Sequence, residues 1–182
     1  MMEKSIRILN VEDESVDHMA LVRFASERGL AYSIDWAQTV VKARELSRAG
    51  SYDIIILDYK LPDGTGFDLI DSFKSTPVIF TTGSGDEMVA VQAIKGGAAD
   101  YLVKDNAGRY LELVPVSIEK ALHMAYLERE RKEADERQRE YVAELERMNR
   151  LMTNRELRLM ELKAENDKLH ERLRMLELKK HV

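Results

Sequence analysis

Every residue that interrupts a helix lies in the front part of this chain. The nine glycines (29, 50, 64, 66, 83, 85, 96, 97 and 108) and the three prolines (62, 77 and 115) all fall at or before position 115 of 182. Inside a helix a glycine costs about 1 kcal/mol and a proline about 3 kcal/mol relative to alanine. Nothing after Pro115 therefore opposes one unbroken helix, whereas the front must turn often. Two domains are expected, residues 1–120 and residues 121–182. Charge divides in the same way. Residues 1–118 carry 12 Lys+Arg against 18 Asp+Glu, a net of −6, while residues 119–182 carry 16 against 15, a net of +1. An acidic front suits a cation better than a nucleic acid, and the balanced rear is not a basic arm.

In the front region, short β-branched or aromatic runs alternate with helical patterns. The runs are "IRILNV" (6–11), "YSIDWA" (32–37), "DIIIL" (53–57), "PVIFTT" (77–82) and "DYLV" (100–103). Between them apolar residues recur three or four apart: Val16, Ala20, Phe24; Val41, Ala43, Leu46; Phe67, Ile70, Phe73; and Met88, Val91, Ile94. Five strand-helix alternations with short loops predict βαβ crossovers and a parallel sheet covered on both faces. "IIIL" and "VIF" lack polar alternation, as central strands of such a sheet do.

In the rear region leucine and methionine fall on a heptad. With a at Leu145, Met152, Leu159, Asn166 and Leu173, and d at Tyr141, Met148, Arg155, Leu162, Leu169 and Leu176, nine of eleven seam positions are apolar. That pattern predicts a coiled coil, and a lone Asn at an a position pairs best with its symmetry mate in a parallel, in-register homodimer. Arg172 facing Glu177 of a second copy is favourable, whereas Arg158 facing Lys163 is not. A further stripe, Leu157, Met160 and Ala164, lies off the seam. The mixed-sign segment "LERERKEADERQRE" (127–140) suits a solvated helix with internal ion pairs better than a DNA-contacting region, so nucleic-acid binding is not expected.

Other classes are excluded more simply. The chain has no cysteine, hence no disulfide framework and no thiolate metal site. No apolar run approaches the roughly 18 residues of a membrane span, and "MMEKSIRILN" lacks the build of a secretion signal, so the expected address is the cytoplasm without membrane association.

The chemistry gathers where strands end. A doubly wound sheet binds ligands beyond the carboxyl ends of its strands, where the strand order reverses. There the first run delivers "VEDES", with Glu12, Asp13 and Glu14, and the third delivers Asp58 in "LDYKLPDG". Carboxylates brought together repel one another unless a cation neutralises them. An oxygen-only set selects a hard ion such as Mg²⁺. Thr82 and Lys104 end two further runs on the same edge. A carboxylate, a metal ion, a hydroxyl and an ammonium on one rim could form and hold an aspartyl phosphate, with Asp58 as nucleophile. "TTGSGD" (81–86) is not a phosphate-binding loop of the GxxxxGK[ST] type.

With these residues in order, the front region resembles the receiver domain of two-component response regulators. The resemblance rests on Glu12 and Asp13, Asp58 followed by "YKLPDGTG", Thr82 after "PVIFT", and "GAADYLVK" ending in Lys104. It implies a flavodoxin-like α/β fold, a five-stranded parallel sheet of order 2-1-3-4-5, followed here by a long helix forming a coiled coil. It further implies that Asp58 accepts a phosphoryl group from a histidine kinase or phosphotransfer protein. Asp13, Asp58 and the backbone carbonyl of Lys60 would bind Mg²⁺, with Glu12 contributing through water. Thr82 and Lys104 would contact the phosphoryl group, and Tyr101 would swing inward with Thr82. The only catalysis implied is on the protein's own phosphoryl group.

Three positions depart from the family pattern. Glu12 stands where Asp is more usual, and Gly83 where alanine is usual. Asp105 replaces the proline after Lys104; a cis bond there would cost about 3–4 kcal/mol, so this loop should take its own shape. The expected output is a change in the coil, transmitted through the last helix from about Leu111 to a downstream protein partner. Alternatives are an assembly protein whose coil is the main element, and the front of a hybrid sensor kinase.

Overall fold

The computed structural model describes residues 5–73, 75–83, 87–105 and 107–179, without the side chains of residues 87, 173 and 176–179. Two compact units are present, Met1–Arg129 and Glu130–Val182. In the first, β1 (Ile6–Val11), β2 (Tyr32–Ala37), β3 (Ile54–Asp58), β4 (Val78–Thr82) and β5 (Asp100–Val103) form one parallel sheet. Their order is 2-1-3-4-5, as the family resemblance implies. The helices are α1 (Ser15–Glu27), α2 (Val40–Ala49), α3 (Phe67–Ile70, continued by a 3₁₀ turn at Asp71–Phe73), α4 (Glu87–Lys95) and α5 (Val114–Lys179). A 3₁₀ turn, Arg109–Leu113, precedes α5. Pro115 is therefore the second residue of α5, within the first turn, where no intrahelical acceptor awaits its missing N–H.

Successive residues of a strand face opposite sides of the sheet, and here both sides are core. Leu9, Val11, Ile55, Leu57, Val78 and Phe80 pack on one side with Leu69, Phe73 and Ala93. Ile8, Ile54, Ile56, Ile79 and Leu102 pack on the other with Leu21, Leu111, Val114 and Ile118. The unbroken "IIIL" run follows directly, because each of its residues has a buried neighbour whichever way it points.

Three helix faces differ from the expected ones. α1 buries His18, Leu21 and Ala25, while Val16 is exposed. α2 buries Val40 and Ala43 and exposes Val41. α4 buries Val89, Ala90 and Ala93 and turns Met88, Val91 and Ile94 outward. In α4 the cause is the inward-facing alanines, which bring the helix backbone close to the sheet, so that the bulkier Val91 and Ile94, one position away, are displaced to the surface. Periodicity alone favours the bulkier set.

The turn after β3 is tightly fixed. Lys60–Leu61 and Gly64–Thr65 form a short antiparallel ribbon. Both oxygens of Asp63 accept backbone N–H groups at the start of α2, from Val40 at 2.7 Å and Val41 at 3.1 Å. A Cβ on Gly66 would lie 2.5 Å from Phe80 Cε1 and 2.8 Å from the Asp58 carbonyl oxygen, so only glycine fits there.

The second unit is the rear of α5. Tyr141, Leu145, Met148, Met152, Leu159, Leu162, Asn166 and Leu169 are all exposed in the single chain, and the side chains of Leu173 and Leu176 lie outside the described residues. Intrahelical pairs Arg137–Glu133 and Arg158–Glu161 decorate its surface. No helix among the described residues is long and apolar enough to cross a membrane.

Candidate functional site

β1 lies between β2 and β3, so the strand order reverses at β1. Val11 is in register with Leu57, which brings the residues that follow, Glu12 and Asp58, to the same rim. Glu12 is held on the β2 side by two bonds: its N–H donates to the Ala37 carbonyl at 2.9 Å, and its carbonyl accepts the Trp36 indole N–H at 2.7 Å. On the far side, Lys104 leaves β5 with its N–H donating to the Thr82 carbonyl at 2.7 Å.

Lys104 joins these ends. Its Nζ lies 2.6 Å from Glu12 Oε2, 2.8 Å from Asp58 Oδ2 and 2.9 Å from Asp17 Oδ2. The lysine side chain is 15% exposed and those of Glu12 and Asp58 are 4% and 13% exposed, so the charges meet largely out of water. Burial pushes the Glu12 carboxyl up to about 7; Lys104 pulls it down, and the Asp58 charge adds to the rise. Burial also opposes the Lys104 ammonium, yet its hydrogen bonds to Asp58 and Glu12 outweigh this and hold it well above the usual lysine range. The lysine is thus a permanent cation, and Glu12 is the group that ionises reluctantly.

One carboxylate oxygen from each of Glu12, Asp13 and Asp58 lies within 4.8 Å of the others. This all-oxygen set fits Mg²⁺, which is held through one or two carboxylates and keeps several waters. A crowded, buried carboxylate such as Glu12 is relieved by a nearby cation, a part that Lys104 already plays here. Asp13 is exposed, which leaves the group open to solvent.

The remaining expected residues are placed less intimately. Thr82 is buried at the end of β4, with its hydroxyl donating to the Gly83 carbonyl at 3.3 Å. Tyr101 is 41% exposed on β5. Lys60 lies in the ribbon, in register with Thr65. Asp105, in place of the family's proline, caps the following turn. Its Oδ1 accepts the Arg109 N–H at 2.7 Å, and its Oδ2 accepts Arg109 Nε at 2.7 Å.

Four residues near the rim carry no signal in the sequence reading. Asp17, in the first turn of α1, reaches Lys104; an acid there reads as an ordinary helix-start residue. His18 is buried, its Nδ1 3.0 Å from Asn10 Nδ2, and its ring stacks on Trp36 with centroids 4.4 Å apart. Tyr110 has its hydroxyl pushed up to about 12 by burial and then by the charge of Asp17.

A family model described as the response regulator receiver domain matches residues 8–114, more than half of the chain, and the chain belongs to that family. It is 39% identical over 87 residues to the response regulator protein PilR of Pseudomonas aeruginosa, covering 45% of this chain and 20% of PilR. It is 34% identical over 103 residues to the transcriptional regulatory protein CusR of Escherichia coli, covering 54% of this chain and 44% of CusR. The solution structure of the beryllofluoride-activated NtrC4 receiver domain dimer matches with a TM-score of 0.54 at 33% identity, covering 63% of this chain and 98% of that one. The chain spans less than half the length of these two curated relatives.

Proposed function

We propose that this chain is a phosphorylation-controlled signalling protein that accepts a phosphoryl group on Asp58 and relays its state through α5 to a coiled-coil homodimer. The observation that carries the reading is the Lys104 ammonium seated 2.8 Å from Asp58 beside the Glu12 and Asp13 carboxylates. An Asp58 oxygen attacks the phosphorus of a phosphohistidine on a kinase or phosphotransfer protein. The P–O bond forms as the P–N bond breaks, and the departing imidazole takes a proton from solvent. Lys104 neutralises charge on the phosphoryl oxygens during this in-line exchange. Glu12, Asp13, Asp58 and the Lys60 carbonyl would hold Mg²⁺, which when bound shields the negative charges of nucleophile and donor from each other. Water later cleaves the acyl phosphate, returning Asp58 and inorganic phosphate. The chain acts on no other substrate.

Thr82 and Tyr101 are the proposed switch residues: the hydroxyl of Thr82 turns from the Gly83 carbonyl to the phosphoryl group, and Tyr101 moves inward from its exposed position. The output is the coil. Leu145, Met148, Met152, Leu159, Leu162 and Leu169 form an exposed stripe that a second copy would cover, with Asn166 pairing across the seam. Incubation with acetyl phosphate and Mg²⁺ should add the mass of one phosphoryl group to the intact protein, and Asp58→Asn should abolish the gain. A wild-type protein that never gains this mass would sink the reading.

A further inference from the structure

Three carboxylates meet the Lys104 ammonium, and they are not equivalent. Glu12 and Asp58 also belong to the group of oxygens that fits a metal ion; Asp17 does not. The Lys104 Nζ donates hydrogen bonds to Glu12 at 2.6 Å and Asp58 at 2.8 Å, and Asp17 adds an ion pair at 2.9 Å. A divalent cation competes directly with Lys104 for Glu12 and Asp58, whereas Asp17 stays with the lysine. Asp17 is also secured independently: it sits in the first turn of α1, where the partial positive charge of the helix end favours a carboxylate.

We infer that Asp17 is a positioning residue that tethers Lys104 on the α1 side of the pocket and competes with the phosphoryl group for its ammonium. This rests on the reading of Asp58 as phosphoacceptor. A phosphoryl group on Asp58 must draw the ammonium from Asp17 and leave that carboxylate unpaired in a site where its side chain is only 30% exposed. The tether therefore opposes the activated arrangement and weakens the hold on a phosphoryl group. Asp17→Asn keeps the shape of the side chain, removes the charge and frees the lysine.

The test uses the full chain with Mg²⁺ and beryllofluoride, an analogue of the phosphoryl group, read by the fluorescence of the single tryptophan, Trp36, whose indole is bonded to the Glu12 carbonyl. Asp17→Asn should tighten beryllofluoride binding about three- to fivefold, the span sustained by an ion pair of modest exposure. The same change in a Lys104→Met background should have no effect. Equal tightening in both backgrounds would mean that Asp17 merely repels the anion, and no tightening in either would also overturn the tether.

A second measurement needs no phosphoryl analogue. In the Mg²⁺-bound protein, hydrogen exchange at the ¹⁵N-labelled Lys104 Nζ should quicken in Asp17→Asn, and unchanged exchange would overturn the inference. If wild-type protein fails to bind beryllofluoride more tightly than Asp58→Asn, the phosphoacceptor reading falls instead. The Nζ exchange then decides the tether by itself.

Discussion

The two units of this chain bury apolar residues by different means. In the first, each residue of β3 up to Leu57 is covered within the same chain, with Ile55 and Leu57 on one side and Ile54 and Ile56 on the other. In the second, α5 carries an apolar stripe of similar regularity, yet Leu145, Met152, Leu159 and Leu162 all remain exposed. A sheet with helices on both faces closes its own core, and its stability does not depend on concentration. A lone helix with such a stripe cannot do so, and the second copy proposed to cover it would make its stability depend on association. The charged rim thus sits on the self-sufficient unit, and the element proposed as the output is the one whose stability would depend on concentration.

The largest effect should come from breaking the closed core. Leu57→Ala removes a fully buried side chain next to Asp58 and should cost about 2–5 kcal/mol, seen as a lower denaturation midpoint that is the same at every protein concentration. The seam gives the contrasting result. Leu159→Ala together with Leu162→Ala should raise the dimer dissociation constant by about tenfold or more, roughly 1.4 kcal/mol or above, in sedimentation equilibrium, while the first unit melts unchanged. A monomer in the wild type at every concentration would erase the contrast altogether.

Two smaller effects sharpen the comparison within the first unit. Because the folded Glu12 carboxyl is raised from its ordinary value to about 7, the folded state binds the extra proton. Its contribution to stability is present below about pH 4.5 and is lost as pH rises toward 7. In Mg²⁺-free buffer, Glu12→Gln should therefore gain melting temperature relative to the wild type between pH 5 and pH 7.5, and Mg²⁺ should narrow the gap. A gap that does not change with pH would contradict the raised carboxyl. Asp63→Ala should give the smallest change, a slight loss of melting temperature from losing the acceptor of the Val40 and Val41 N–H groups, with beryllofluoride binding retained.

Much of the front fold was legible because the strand runs are short, β-branched and free of polar alternation, and only a doubly covered sheet accommodates such runs. Their bounds agree with the expected ones to within a residue. Asp58 and Lys104 were legible for the same reason, since a charge directly after a buried run must emerge at the rim. The helix faces were less so: Met88, Val91 and Ile94 have the right period but the wrong side, because packing distance at Ala90 and Ala93 outweighs side-chain size. Asp17, His18 and Trp36 left no local trace, because each acts on a residue from another part of the chain.

By itself the sequence determined the parallel sheet and the rim on which Glu12, Asp13 and Asp58 lie, while the strand order came with the family resemblance. The sheet and the rim follow from local constraints: where a backbone is free to turn, and which runs must be buried. Tertiary structure alone decided that Lys104 meets three carboxylates and that one of them is Asp17. It also decided that the only tryptophan braces the loop that follows β1. Those outcomes depend on distances of about 3 Å between segments far apart in sequence, which only the packed sheet sets.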